Sequence, residues 1–220
     1  MILAIKLQLI SVQCDITAAF IHARVPATES IYVHQPRGFH RGKEDEVLCL
    51  KQTLYGLKQS PRYFFQYVTE RLIKQGLTAS KLDPCLFISK SLIVIIYVDD
   101  ILIYGKSDDE INELIERLKQ DDIALHREGT AEGYLSVDIQ QDGNKITLLQ
   151  EGLTKRIITA LGLDSKYSTP IDTPAETAAL GRDVDGEEAS GSVNYASVVG
   201  MLLYLGHSRP DISFATHQCA

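Results

Sequence analysis

Two adjacent carboxylates, Asp99 and Asp100, interrupt the apolar run LIVIIYVDDILIYG at residues 92–105. An ionised carboxylate without a partner is costly to take out of water, so the pair must sit at a wet hairpin tip or bind a cation. The flanks are β-branched and aromatic and read as strands, and Asp-Asp is a plausible two-residue connection between them. On these residues alone both readings stay open. A third acid, Asp15, ends the apolar segment LQLISVQCDI at residues 7–16. Carboxylates converging on a rigid sheet would give the oxygen ligands that hard divalent cations take. Two such ions about 3.5–4 Å apart can clamp the attacking and leaving oxygens of a phosphoryl transfer.

Positioning these acids is the task of an ordered series of elements. The segment 7–16 reads as a strand ending at Asp15. IYVHQP and EVLCLKQ read as two short strands around the basic, Gly-containing loop RGFHRGKEDE, an insertion at about 27–50. SPRYFFQYVTERLIKQG (60–76) is predicted helical, with Ser60 as N-cap, Pro61 at the first helical position, Phe64, Val68 and Leu72 on one face and Gly76 as the stop. A second helix covers SDDEINELIERLKQ (107–120), where Ser107 and Glu110 form a capping box and Ile111, Leu114, Ile115 and Leu118 form the apolar face. There Asp108 and Asp109 serve the helix dipole.

GYLSVDIQQ and KITLLQ alternate around DGN as a hairpin, and a third helix covers LTKRIITALG. Residues 164–194 read as a linker, followed by an apolar helix at 195–206. Over residues 7–140 the order is strand, helix, strand, strand, helix, strand, the split βαβ, ferredoxin-like order. In that topology the strand of Asp15 can lie beside the tip that carries Asp99 and Asp100. The expected fold is therefore α+β, with two regions, 1–142 and a mainly helical 143–220.

Composition narrows the class. A chain of 220 residues with 45% apolar content can bury a sizeable core. No run approaches the roughly 18 apolar residues of a membrane span, and MILAIKLQLI lacks the marks of a signal peptide, so an intracellular, cytoplasmic setting without a membrane is expected. Cys14, Cys49, Cys85 and Cys219 show no zinc spacing with the six histidines. Buried free thiols are expected for the first three. The net charge of −7 is uneven, because residues 1–90 hold 12 Lys and Arg against 7 Asp and Glu. A basic half can track a phosphate backbone within an acidic chain.

The ordered blocks resemble the reverse transcriptase of copia-type retrotransposons over nearly the whole chain. QCDITAAF resembles its first catalytic block, ESIYVHQPRGF the insertion after it, TLYGLKQSPR the template-side block and YVDDILIYG the metal-binding hairpin. LDPCLF and VGMLLYLGHSRPDISFA resemble further blocks. The resemblance implies a reverse-transcriptase palm over 1–142 and a thumb- or connection-like region over 143–220. It implies an RNA-directed DNA polymerase that adds dNTPs to a primer 3′-OH on an RNA or DNA template, with Asp15, Asp99 and Asp100 as catalytic ligands of two Mg²⁺ ions, or of Mn²⁺.

The same resemblance gives Phe20 the place of a steric gate against a 2′-hydroxyl. Tyr55 and Gly56 would lie near the incoming nucleotide and the templating base, Tyr97 near the primer end, and Gln150 near the primer-holding hairpin. Lys58 and Arg62 would meet template or primer phosphates. Departures from the pattern are the short stretch before Asp15, where a basic fingers segment is expected, and Leu135-Ser136 where the family shows Leu-Gly. The chain reads as a fragment of a polyprotein whose integrase and ribonuclease H segments are partners. A retroelement relic that keeps the fold as a binding module, and a nucleotide cyclase on a similar sheet, are the competing readings.

Overall fold

The computed structural model describes residues 2–39, 41–43, 45–143, 145–163, 169, 171–176, 180, 181, 186, 191 and 193–220. Most of the linker expected at 164–194 lies outside the described residues. The chain divides into two units, Met1–Ala131 and Glu132–Ala220.

In the first unit a short helix α1 (Ile2–Lys6) precedes strand β1 (Ile10–Ile16). The strand therefore begins three residues later than its apolar pattern suggests. Gln8 adopts a left-handed φ of 53° in the turn that separates the two. A 3-10 turn, Ala19–His22, leads into the small hairpin β2 (Tyr32–His34) and β3 (Val47–Cys49). Helix α2 (Ser60–Lys74) follows, then β4 (Thr78–Ala79), β5 (Leu86–Ile88), β6 (Ile93–Tyr97), β7 (Asp100–Gly105), helix α3 (Asp108–Gln120) and β8 (Leu125–Gly129). Six of these strands form one antiparallel sheet in the order β4-β5-β6-β7-β1-β8.

The core lies on the face covered by α2 and α3. Val12, Cys14 and Ile16 of β1 and Ile101 and Ile103 of β7 pack there with Phe64, Val68 and Leu72 of α2 and Ile111, Leu114, Ile115 and Leu118 of α3. Each fully buried aliphatic side chain contributes about 1.5–3 kcal/mol. α3 starts where its sequence says, since the Ser107 hydroxyl accepts the Glu110 N–H at 3.3 Å. α2 differs in one detail. Gln59 is its N-cap, and the buried Ser60 hydroxyl instead donates to the Leu54 carbonyl at 2.6 Å. Gly76, at φ 84°, stops the helix as expected.

The fourth strand of the split order is not GYLSVDIQQ. It is β8, a polar edge strand in which Leu125 is the one residue fully buried. Such a strand carries too little alternation to announce itself. Arg127 fastens it to α3, pairing with Asp108 and Asn112.

The second unit holds β9 (Gly133–Tyr134), β10 (Val137–Asp142) and β11 (Lys145–Leu149) in a separate sheet of order β11-β10-β9. Helices α4 (Glu151–Ala160), α5 (Tyr195–Leu205) and α6 (Ser213–Cys219) complete it. Leu135 and Ser136 form the two-residue β9–β10 turn with φ of 52° and 60°. Both are left-handed, as a type I′ turn demands, and the Tyr204 hydroxyl donates to the Leu135 carbonyl. A side chain in that conformation costs roughly 1–2 kcal/mol relative to glycine. Ser136→Gly is therefore expected to raise the urea midpoint of the chain, by about 1 kcal/mol of stability.

Cys14 is buried, Cys85 half-buried and Cys49 exposed, and all are free thiols. The exposure of Cys49 departs from the buried thiol expected, because among the described residues β3 lies in a two-stranded sheet with β2.

Candidate active site

The geometry begins with the pairing of β1 and β7. Asp15 stands directly opposite Asp100 in the antiparallel register, and the Ile16 N–H donates to the Asp99 carbonyl at 2.9 Å. Residues opposite each other share a face, and like charges so placed are destabilising. The pairing continues on both sides, Tyr97 opposite Asp100 and His126 opposite Asp15. One row across four strands thus reads Tyr97, Asp100, Asp15, His126. It lies on the face opposite Cys14 and Ile101, away from α2 and α3.

The hairpin tip differs from the expected Asp-Asp connection. Tyr97 pairs with Asp100, so the two turn residues are Val98 and Asp99, and Asp100 is the first residue of β7. Val98 has φ 57°. The first central position of a type II′ turn takes such a φ and is ordinarily glycine, so a β-branched residue there is strained. The turn leaves Asp99 at the tip and Asp100 on the sheet, half-buried like Asp15.

Burial raises the Asp15 carboxyl above the usual carboxylate range, and the charges of Asp99 and Glu128 push it further against the opposing effect of His126. Asp100 is raised in the same way, by burial first and then by Asp99, Asp15 and Glu128. Glu128 reaches this neighbourhood through a bulge, because the β1–β8 register skips it between Gly129 and Arg127. His126 and Glu128 were missed by sequence reasoning together with the strand that carries them. The neighbouring Cys14 thiol is pushed up to about 11 by burial and is no nucleophile.

These shifts set a pH dependence. An acid raised in the fold favours the folded state while protonated, and this advantage is lost as pH climbs from the ordinary carboxylate value through the raised one. Asp100→Asn is therefore expected to melt at a higher temperature than the parent near neutral pH in metal-free buffer. The gap should close at acid pH, where Asp100 is protonated in both states.

The donor set suits a hard cation. Asp15, Asp99 and Asp100 offer only oxygen, and none of the three forms a side-chain ion pair among the described residues. Among the described residues no three His, Cys, Asp or Glu side chains close into a ready-made coordination cluster. Mg²⁺ does not require one, because it keeps several waters and binds through one or two carboxylates with substrate phosphates.

Phe20 and Tyr55 come together, their ring centroids 4.8 Å apart, and Phe20 also meets Phe64 edge-on at 5.9 Å. The buried Thr53 hydroxyl donates to the Phe20 carbonyl and holds this corner. Gly56 lies at φ 92° in the turn Leu54–Leu57, closed by the Leu57 N–H to Leu54 carbonyl bond at 3.3 Å. A Cβ there would meet nothing within 4 Å, so backbone conformation and not close approach requires the glycine. Tyr97 is exposed beside the acids. Lys58 and Arg62 are exposed, and neither forms an ion pair among the described residues. Gln150 is buried in the second unit, where its Oε1 accepts from the Ser208 hydroxyl at 2.8 Å.

Comparison with known proteins identifies the family of the chain. A family model described as reverse transcriptase (RNA-dependent DNA polymerase) matches residues 1–176. The retrovirus-related Pol polyprotein from transposon TNT 1-94 of Nicotiana tabacum is 32% identical over 97% of this chain and 17% of its own length. That from transposon RE2 of Arabidopsis thaliana is 28% identical over 94% of this chain and 14% of its own. The transposon Ty1-MR1 Gag-Pol polyprotein of Saccharomyces cerevisiae is 29% identical over 66% of this chain and 8% of its own. The chain thus spans less than a fifth of the length of these curated relatives.

Proposed function

Because the chain belongs to the reverse transcriptase family of copia-type retrotransposon polyproteins, we propose that it is the polymerase segment of such a polyprotein and adds dNTPs to a primer 3′-OH on an RNA or DNA template. Residues 1–142 would serve as the palm and 143–220 as a thumb- and connection-like region. The observation that carries this reading is the like-charge pair Asp15 and Asp100 on adjacent central strands, with Asp99 at the neighbouring tip. A fold that sets carboxylates side by side at a cost to its own stability has a use for them.

In this reading the primer 3′ oxygen attacks the α-phosphorus in line, the bond to the bridging oxygen breaks, and pyrophosphate leaves. Two Mg²⁺ ions, or Mn²⁺ in their place, would be held by Asp15, Asp99 and Asp100 and would supply Lewis acidity to the attacking and leaving oxygens. The exposed Tyr97 ring, in the same row as Asp100, supports the primer end. Phe20, braced by Tyr55 and Phe64, lies under the sugar and excludes a 2′-hydroxyl, while the Tyr55–Gly56 turn borders the templating base. Lys58 and Arg62 meet backbone phosphates, each adding a salt-dependent, sequence-independent contact.

Among the described residues no helix is long and apolar enough to cross a membrane. An intracellular, cytoplasmic setting, with the polyprotein's integrase and ribonuclease H segments as partners, accords with the reading. The test is dependence on primer. Purified chain with Mg²⁺ and dNTPs is expected to lengthen a DNA primer annealed to RNA and to form nothing when the primer is omitted. Product from ATP or GTP alone would make the acid row a cyclase site and overturn the polymerase reading.

A further inference from the structure

The Phe20 ring does not set its own place. It sits in a single 3-10 turn, Ala19–His22, entered through Ala18 at a left-handed φ of 54°. Such turns are short and have poor hydrogen-bond geometry. Here the Ala23 N–H reaches the Phe20 carbonyl only at 3.4 Å. Ala19 and Ala23 are buried, whereas the Phe20 ring between them is half-buried. Of the rings that it meets, Phe64 belongs to the core but Tyr55 is itself 59% exposed.

Two hydroxyls with no exposure flank the Tyr55–Gly56 turn and supply what the 3-10 turn lacks. The Thr53 hydroxyl donates to the Phe20 carbonyl, and the Ser60 hydroxyl to the Leu54 carbonyl at 2.6 Å. The Thr53 N–H also donates to the Ala23 carbonyl at 2.9 Å, and Gln52 bridges antiparallel to Arg24, so the chain before the turn runs beside the end of the Phe20 turn. Residues 53 and 54 are thus fastened to the Phe20 backbone on one side and to the start of α2 on the other. Packing alone asks for no hydroxyl at position 53. Valine has the same shape and no polar group to satisfy.

We propose that Thr53 is a positioning residue for sugar selection, its hydroxyl fixing the Phe20 ring beneath the sugar through the Phe20 carbonyl. The inference rests on the reading of the chain as a polymerase with Phe20 under the sugar, and adds to it a residue that touches neither nucleotide nor metal. A gate of this kind discriminates by the space of one oxygen atom. Misplacement by about 1 Å can cost about 10²-fold where groups must be held in register.

Single-nucleotide incorporation by the full chain, with a dNTP and with the matching rNTP, tests it. Thr53→Val keeps the side-chain volume, and the Phe20 carbonyl keeps the Ala23 N–H, so the melting temperature is expected to stay near the parent's. The preference for dNTP over rNTP, as a ratio of kcat/KM values, is expected to fall about tenfold, chiefly through a lower KM for the rNTP. Thr53→Ser, which keeps the hydroxyl, is expected to restore most of the preference. In a Phe20→Ala background, with no ring to place, Thr53→Val is expected to change the ratio by less than about twofold. Should the valine chain melt early, Thr53→Ala read against Thr53→Ser gives the same comparison. Parental preference in a folded chain without the hydroxyl, equal losses with dNTP and rNTP, no rescue by serine, or a change that persists without the Phe20 ring would overturn the inference and leave the polymerase reading standing. A parent that extends no primer would remove the polymerase reading and sugar selection with it.

Discussion

Asp15→Asn and Asp100→Asn are each expected to reduce primer extension by about 10³-fold or more, a loss of about 4 kcal/mol in transition-state stabilisation. The size follows from what each carboxylate would do. Asp15 and Asp100 share one face of adjacent strands, and removing either leaves a single acid on the sheet beside Asp99 at the tip. Asparagine keeps the shape and removes the charge, so the fold should survive. The same Asp100→Asn substitution is expected to stabilise the metal-free chain near neutral pH. Opposite signs for stability and activity are the signature of a residue kept for chemistry and not for folding. Comparing extension rates with melting temperatures for each variant checks both signs.

The second large effect lies in the core beneath the site. Phe64→Ala is expected to destabilise the first unit by about 3–5 kcal/mol, the range for emptying a buried aromatic position. Phe64 is 1% exposed and packs against the Phe20 ring from below. It is also stacked with Tyr67 at 6.4 Å. Tyr67 in turn reaches the Asp122 carbonyl at 2.7 Å and carries the Arg71 guanidinium 3.4 Å above its ring. Arg71 closes the circuit by donating to the Asp121 carbonyl at 2.7 Å. The cavity would therefore loosen both the Phe20 corner and the seam between α2 and the α3–β8 turn. Urea unfolding would register the loss as a lower midpoint, with Phe64→Leu expected to lose less than half as much.

Much of this was legible in the sequence because local and global signals agree there. α2 and α3 announce themselves by helical spacing and by a stop or a cap, and their apolar faces are the ones buried. The acid pair was legible as an interruption of apolar strands, but the turn that holds it was not. A turn at Asp99-Asp100 and one at Val98-Asp99 both leave Val94 and Ile96 on the same face as Ile101 and Ile103, so alternation cannot choose between them. Pairing with β1 chooses, by setting Asp100 opposite Asp15 and drawing the Asp99 carbonyl to the Ile16 N–H. The choice leaves Val98 in a left-handed conformation, a local cost of the kind found at functional sites.

β8 was not legible for a different reason. LHREG has one buried residue and sits at the sheet edge, where position comes from the neighbouring strand and from the Arg127–Asp108 pair and not from its own pattern. His126 and Glu128 could be found only once that strand was in place. Ser60 shows the limit of a local rule from the other side. Its type suits a cap, but the turn before α2 brings the Leu54 carbonyl within reach, and the hydroxyl takes that acceptor.

The measurement that bears most directly on the acid row as a polymerase site is incorporation of a single nucleotide onto a DNA primer annealed to an RNA template. The templating ribonucleotide is varied and Asp99→Asn is run beside the parent. The parent is expected to add the complementary dNTP at each template, and Asp99→Asn to add none at a comparable rate. Addition that ignores the template base, or that survives Asp99→Asn unchanged, would contradict the acid row as a polymerase site.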